Sequence, residues 1–214
     1  MILADLIYNE NGNGKLYFTG GEKSVLADLN ALVDSVRGFS VRLQIEERGC
    51  ISKIEKQIDE TISNLISEVK RIKKENPMFA FSKNDSTKIK ALKERIEALN
   101  YTKLTLDYKK RNLWEKYNTY YDSYLKDKYL DLLTEMGFKY LSTSTKKFEM
   151  RAIFGYDKDL SVLKGIAKKK QEYFDSLQER AILNMNENYR IAMEKCFNDV
   201  EKFDINEVKH EWII

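Results

Sequence analysis

FSVRLQIEE, residues 39–47, alternates Phe39, Val41, Leu43 and Ile45 with Ser40, Arg42, Gln44 and Glu46. A period of two over eight residues is the pattern of a half-buried β-strand, so this stretch predicts a strand in a small sheet. Upstream, EKSVLADLNALVDSV (22–36) places Leu26, Leu29, Leu32, Val33 and Val36 on one helical face. Gly38 then reads as the C-cap of that helix. Further upstream, ILADLIY (2–8) and KLYFT (15–19) flank NENGNG, an Asn- and Gly-rich hairpin connection.

Downstream of the quoted stretch the period changes. Ile51, Ile54, Ile58, Ile62, Leu65, Val69 and Ile72 step by three or four residues, and the residues between them are mostly charged or polar. That spacing is a coiled-coil seam. Pro77, the only proline, stops this helix near Asn76. A second seam opens with Ile89, Leu92, Ile96 and Leu99 and continues through Leu106, Leu113, Tyr117, Tyr120 and Tyr124. The two helices should form an antiparallel hairpin, although about 37 Å for 51–75 and about 76 Å for 86–136 are unequal lengths. FKYLS (138–142) and KFEMRAIF (147–154) alternate as strands around an STST turn, and a last helix covers about 159–203 before the apolar tail EWII (211–214).

The reading is therefore an α+β protein, predominantly α. A small antiparallel sheet from segments near 2–19, 39–47 and 138–154 accompanies long helices in a coiled-coil hairpin or elongated bundle. By segment, 1–50 is the first part of a small head and 51–136 the helical hairpin. Residues 137–158 return strands to the head, and 159–214 form a helix and tail.

Several activities are poorly supported. His210 is the only histidine, so no multi-histidine metal site and no histidine triad can be assembled. GNGKLYFTGGEKS (12–24) resembles a phosphate loop only superficially. Gly14-Lys15 is followed by Leu16, while Glu22 separates Gly21 from Lys23. Most carboxylates alternate with lysines along helices, as on solvated faces. No enzyme, cofactor or metal is expected. Cys50 and Cys196 lie in unrelated contexts and read as reduced thiols of a cytoplasmic protein. No leader is visible at Met1, and no apolar run approaches a membrane span.

Two binding readings are left. MFAF (78–81) lies between two polar-surfaced helices, and Met78, Phe79 and Phe81 would make an apolar tip for a protein partner. A regulator or inhibitor carried by a phage or mobile element suits the small size and the Lys-, Asn- and Ile-rich composition. The alternative is nucleic-acid binding by residues 139–170, which hold nine basic and three acidic side chains. There Lys146, Lys147, Arg151, Lys168, Lys169 and Lys170 would meet phosphates, and Tyr140 and Tyr156 would stack on bases. The five tyrosines of NLWEKYNTYYDSYLKDKYLDLL (112–133) read mainly as helix packing, with Tyr121 and Tyr129 off the main stripe. The seams could also close between chains in a homodimer.

Overall fold

The computed structural model describes residues 1–75, 83–120 and 124–198. Its elements run β1 (Ile2–Asn9), β2 (Gly14–Thr19), α1 (Lys23–Glu75), α2 (Lys83–Tyr120), α3 (Leu125–Glu135), β3 (Lys139–Lys146), β4 (Glu149–Tyr156) and α4 (Leu160–Asn198). Four antiparallel strands form one sheet in the order β2-β1-β4-β3. The predominantly α, α+β class expected from the sequence is the class observed.

The stretch 39–47 is not a strand. It lies inside α1, which runs unbroken through Gly38 for 53 residues. Phe39, Leu43, Glu47 and Cys50 are buried, whereas Val41 and Ile45 are 54% and 64% exposed. The buried positions step by four, four and three, continuing the seam that starts again at Ile51. The apparent alternation arises because two apolar residues face solvent and a carboxylate occupies a core position. Gly38 is likewise an interior helix residue, not a cap.

The chain divides into two compact units. In unit 1 (Met1–Gln44 and Trp114–Ala181) the inward sheet face presents Ile2, Ala4, Leu6, Leu16, Phe18, Ala152, Phe154 and Tyr156. Opposite them pack Val25, Leu29, Leu32, Val33 and Val36 of α1, Tyr129, Leu132 and Leu133 of α3, and Leu163 and Ala167 of α4. Burial of these apolar side chains on a shared core is the main favourable term for the unit. Phe138 joins the layers, its ring 5.7 Å from Phe18 and 5.4 Å from Tyr156.

Local chemistry explains the joints. The predicted hairpin connection forms at Asn9–Asn13, where Asn9 Oδ1 accepts from the backbone N–H groups of Asn11 and Asn13 at 3.1 Å. The carbonyl of Gly12 accepts from the Lys126 N–H at 3.0 Å, tying this turn to the start of α3. Gly21, at φ +80, leads from β2 into α1, and a Cβ there would lie 2.7 Å from Ile2 Cγ1. Gly137, at φ +83, closes α3 with bonds from Gly137 N–H to Thr134 O and from Phe138 N–H to Leu133 O.

Two further boundaries differ from expectation. The helix expected over 86–136 is two helices, α2 and α3. STST is not a turn but the middle of β3, and the turn falls at Lys147–Phe148 with Lys147 at φ 57. Serine and threonine fit both settings, so the alternation of the flanks misplaced the corner. The sheet lacks 39–47, and the strands expected within 138–154 form its other pair, β3 and β4. The final helix is observed to Asn198, and the tail lies outside the described residues.

Unit 2 (Ile45–Leu113 with the α4 residues from Ile182 on) is a bundle of three helices. Lys88 pairs with Glu68, Lys103 with Asp59 and Lys110 with Glu55, so α2 runs antiparallel to α1 as the seams predicted. The unit takes α1 from Ile45 to Glu75 and α2 from Lys83 to Leu113, stretches of equal length. The mismatch inferred from sequence came from starting the first helix at Ile51 and running the second through to 136. Ile51, Ile54, Ile58, Leu99, Leu106 and Leu113 are buried along the seams. Met185, Tyr189, Ala192 and Cys196 supply the α4 face at heptad steps.

Candidate interaction surface

β3 is an edge strand, hydrogen-bonded to β4 on one side, with no strand on the other among the described residues. All eight of its residues, KYLSTSTK, are exposed. In a strand the side chains alternate between faces. Tyr140, Thr143 and Thr145 pair with Phe154, Ala152 and Met150, which continue the core-side face of β4. Lys139, Ser142, Ser144 and Lys146 pair with Gly155, Ile153, Arg151 and Glu149 on the opposite face.

The ladder slips at Leu141, between Tyr140 and Ser142. This is a bulge, which re-aims one side chain without ending the pairing. Leu141 Cδ1 lies 3.0 Å from where a Cβ of Gly155 would be, so the glycine makes room for the leucine on the outward face. Tyr140, Leu141 and Phe148 are 56%, 51% and 79% exposed. These exposed apolar side chains lie at the two ends of a strand edge that no described strand covers, Tyr140 and Leu141 at one end and Phe148 beyond the other.

The expected nucleic-acid residues separate on the structure. Lys146 and Lys147 are exposed at the β3–β4 corner. Arg151 is held by Asp5, its Nε donating to Oδ1 at 2.7 Å and its Nη2 to Oδ2. Those hydrogen bonds and the Asp5 charge push the Arg151 guanidinium pKa up. Tyr140 packs edge-on against Phe154, with ring centres 5.8 Å apart. Tyr156 is 2% exposed, donates its hydroxyl proton to Asp159 O at 3.1 Å, and so offers no ring face for stacking. Burial first, then Asp159 and Asp157, raises the Tyr156 pKa. On α4, Lys168 and Lys169 are exposed, while Lys170 bonds Glu135. Phe148 projects from the same β3–β4 corner as Lys146 and Lys147.

Of the tyrosine-rich stretch, Tyr117 and Tyr129 are buried and Tyr124 is 54% exposed. Tyr129 therefore belongs to the core despite lying off the seam, because α3 starts a new helical phase. Met78, Phe79 and Phe81 lie outside the described residues.

Two other features are built from polar groups. In unit 2, Glu47 is fully buried and accepts from the Tyr189 hydroxyl at 2.7 Å, with Lys109 Nζ 3.8 Å from the same oxygen. In unit 1 a cleft of about 440 Å³ is bordered by Tyr8, Asn9, Lys15, Arg37, Asn118 and Glu149. Among the described residues no three His, Cys, Asp or Glu side chains cluster for a metal ion, and no helix is long and apolar enough to cross a membrane. Compared with known proteins, the chain matches no protein-family model, no curated protein and no solved structure.

Proposed function

We propose that this chain is a non-enzymatic interaction protein, a regulator or inhibitor type of molecule, whose ligand is another protein engaged at the β3 side of unit 1. The observation that carries the reading is β3 itself, an edge strand exposed along all eight residues, with Tyr140 and Leu141 near its start and exposed Phe148 just beyond its end. An open edge offers backbone donors and acceptors in register, and apolar flanks add the buried contacts that stable interfaces need. The tip at Met78, Phe79 and Phe81 is a separate proposal that rests on sequence alone. Cys50 and Cys196 are free and buried, which supports a reducing compartment such as the cytoplasm.

A second reading, nucleic-acid binding, draws on Lys146 and Lys147 beside exposed Phe148 at one hairpin corner. Site-specific photo-crosslinking in cells of the native source separates the readings. A benzophenone side chain replaces Phe148 in one variant and exposed Leu104 of unit 2 in a control. A protease-sensitive adduct at 148 and not at 104 supports the protein reading. A nuclease-sensitive adduct at 148 supports nucleic acid, and no adduct at 148 removes β3 from both.

A further inference from the structure

We infer that β3 receives an extended, acid-flanked segment of the partner protein as a fifth strand of the sheet; this rests on the protein-binding reading above. β3 has a lysine at each end, Lys139 and Lys146, is followed by Lys147, and contains no carboxylate. Its middle, Ser142–Thr145, carries only small hydroxyl side chains, so a neighbouring backbone can approach without steric conflict. The bulge at Leu141 lies near the first end, leaving the ladder regular from Ser142 to Lys146. A guest strand alongside that window completes the backbone bonding that the edge leaves open. Glutamate or aspartate at its two ends then lies beside Lys139 and beside Lys146 and Lys147.

Charge selects the occupant. The only ion pair at these lysines among the described residues joins Lys139 to Asp157 at 4.0 Å, with both side chains mostly exposed. Such a pair holds a cation weakly and leaves it open to a second anion. A second copy of the chain fits poorly. Antiparallel pairing of KYLSTSTK with itself over its full length sets Lys139 opposite the partner's Lys146 at both ends, and like charges directly opposed are unfavourable. An acidic-ended strand turns both repulsions into attractions.

The test uses the full chain and two fluorescein-labelled seven-residue peptides of alternating threonine and valine. One has glutamate at both ends and the other lysine. In an anisotropy titration the glutamate peptide should bind at least about tenfold more tightly than the lysine peptide. The double variant Lys139→Glu/Lys146→Glu should reverse that order, and a reversal cannot come from misfolding. Ser142→Pro and Thr143→Pro supply an independent check. Successive residues point their N–H groups to opposite sides, so one of the two replaces an outward donor, keeps the sheet, and loses peptide binding. No binding of either peptide at about 1 mM, or a preference that the double variant leaves unchanged, overturns the acid-flanked strand. A concentration-dependent dimer abolished by the tolerated proline overturns it in favour of self-pairing. Either failure can stand beside a protein adduct at position 148, so it is distinguishable from failure of the protein-binding reading.

Discussion

Tyr189 and Glu47 meet at 2.7 Å inside the helical bundle, 142 residues apart in sequence, the phenol donating to a carboxylate that solvent does not reach. Lys109 completes the group from α2, its Nζ 3.8 Å from the same carboxylate oxygen and 5.1 Å from the Tyr189 ring centre. Each helix of unit 2 contributes one member, so the cluster fixes the mutual register of all three. Taking these charges out of water is costly, and removing one partner exposes that cost. Lys109→Met should destabilise the protein by about 3–5 kcal/mol and Tyr189→Phe by about 1–3 kcal/mol. The triple variant Glu47→Leu/Lys109→Met/Tyr189→Phe should recover most of the loss, because no buried charge is left. Urea unfolding followed by circular dichroism measures all three. A triple variant no more stable than Lys109→Met would mean that packing, not charge burial, governs this layer.

The same carboxylate explains what the sequence concealed. The heptads of α1 and α2 from Ile51 and Ile89 onward were legible because apolar residues mark nearly every core position. So were the β1–β2 hairpin, whose Asn and Gly residues have a local turn chemistry, and the strand character of 138–154. The first half of α1 was not legible. Glu47 stands at a core position and takes its partners from Lys109 and Tyr189, whose proximity no local pattern records. Val41 and Ile45, exposed on the other face, supplied a false period of two. The basic segment was visible as composition, but its division was not. Tyr156 turns inward and Arg151 is answered by Asp5, a neighbour 146 residues away in the chain. The β3 edge emerges only from the strand order, which sequence spacing does not contain.

Gly38 and Gly49 test the continuity of α1. Both sit inside the helix, and a Cβ added at either meets nothing within 4 Å. Glycine in a helix interior costs about 0.5–1 kcal/mol relative to alanine through backbone entropy. Gly38→Ala and Gly49→Ala should each stabilise by about that amount, and the two should add because the sites lie three helical turns apart. Thermal or urea midpoints measure the gain. A loss at Gly38 would argue for a chain break there, as a strand from Phe39 requires.

Lys147 carries the backbone strain of the candidate surface. It is the one described non-glycine residue in the left-handed region, at φ 57, and it turns β3 into β4. That conformation costs a residue with a Cβ about 1–2 kcal/mol that glycine avoids. Lys147→Gly should therefore raise stability by about 1 kcal/mol while removing a cation from the hairpin corner. The variant separates fold from function: a higher urea midpoint is expected together with weaker binding of an acidic peptide. Unchanged stability would place the strain elsewhere in the corner.

The two thiols give stability a dependence on alkaline pH. Cys50 donates its thiol proton to Asn186 Oδ1 at 3.0 Å, and burial pushes its pKa above the ordinary 9.0 despite the lowering effect of Lys53. Burial also raises the Cys196 pKa, against the hydrogen bond from Thr102 and the charge of Arg95. In each case the unfolded chain loses its thiol proton at lower pH than the folded one. The contribution to stability is therefore complete below the unfolded value of about 9 and is lost as pH rises through the higher folded values. Urea midpoints taken from about pH 7 to about pH 10 should fall more for the parent chain than for Cys50→Ala/Cys196→Ala, since other alkaline titrations are common to both. An aromatic disulfide reagent should modify both thiols slowly in the folded protein and rapidly in urea. Equal pH slopes for the two chains, or rapid modification of the folded protein, would show that these thiols are reached by water and that the seam opens at α4.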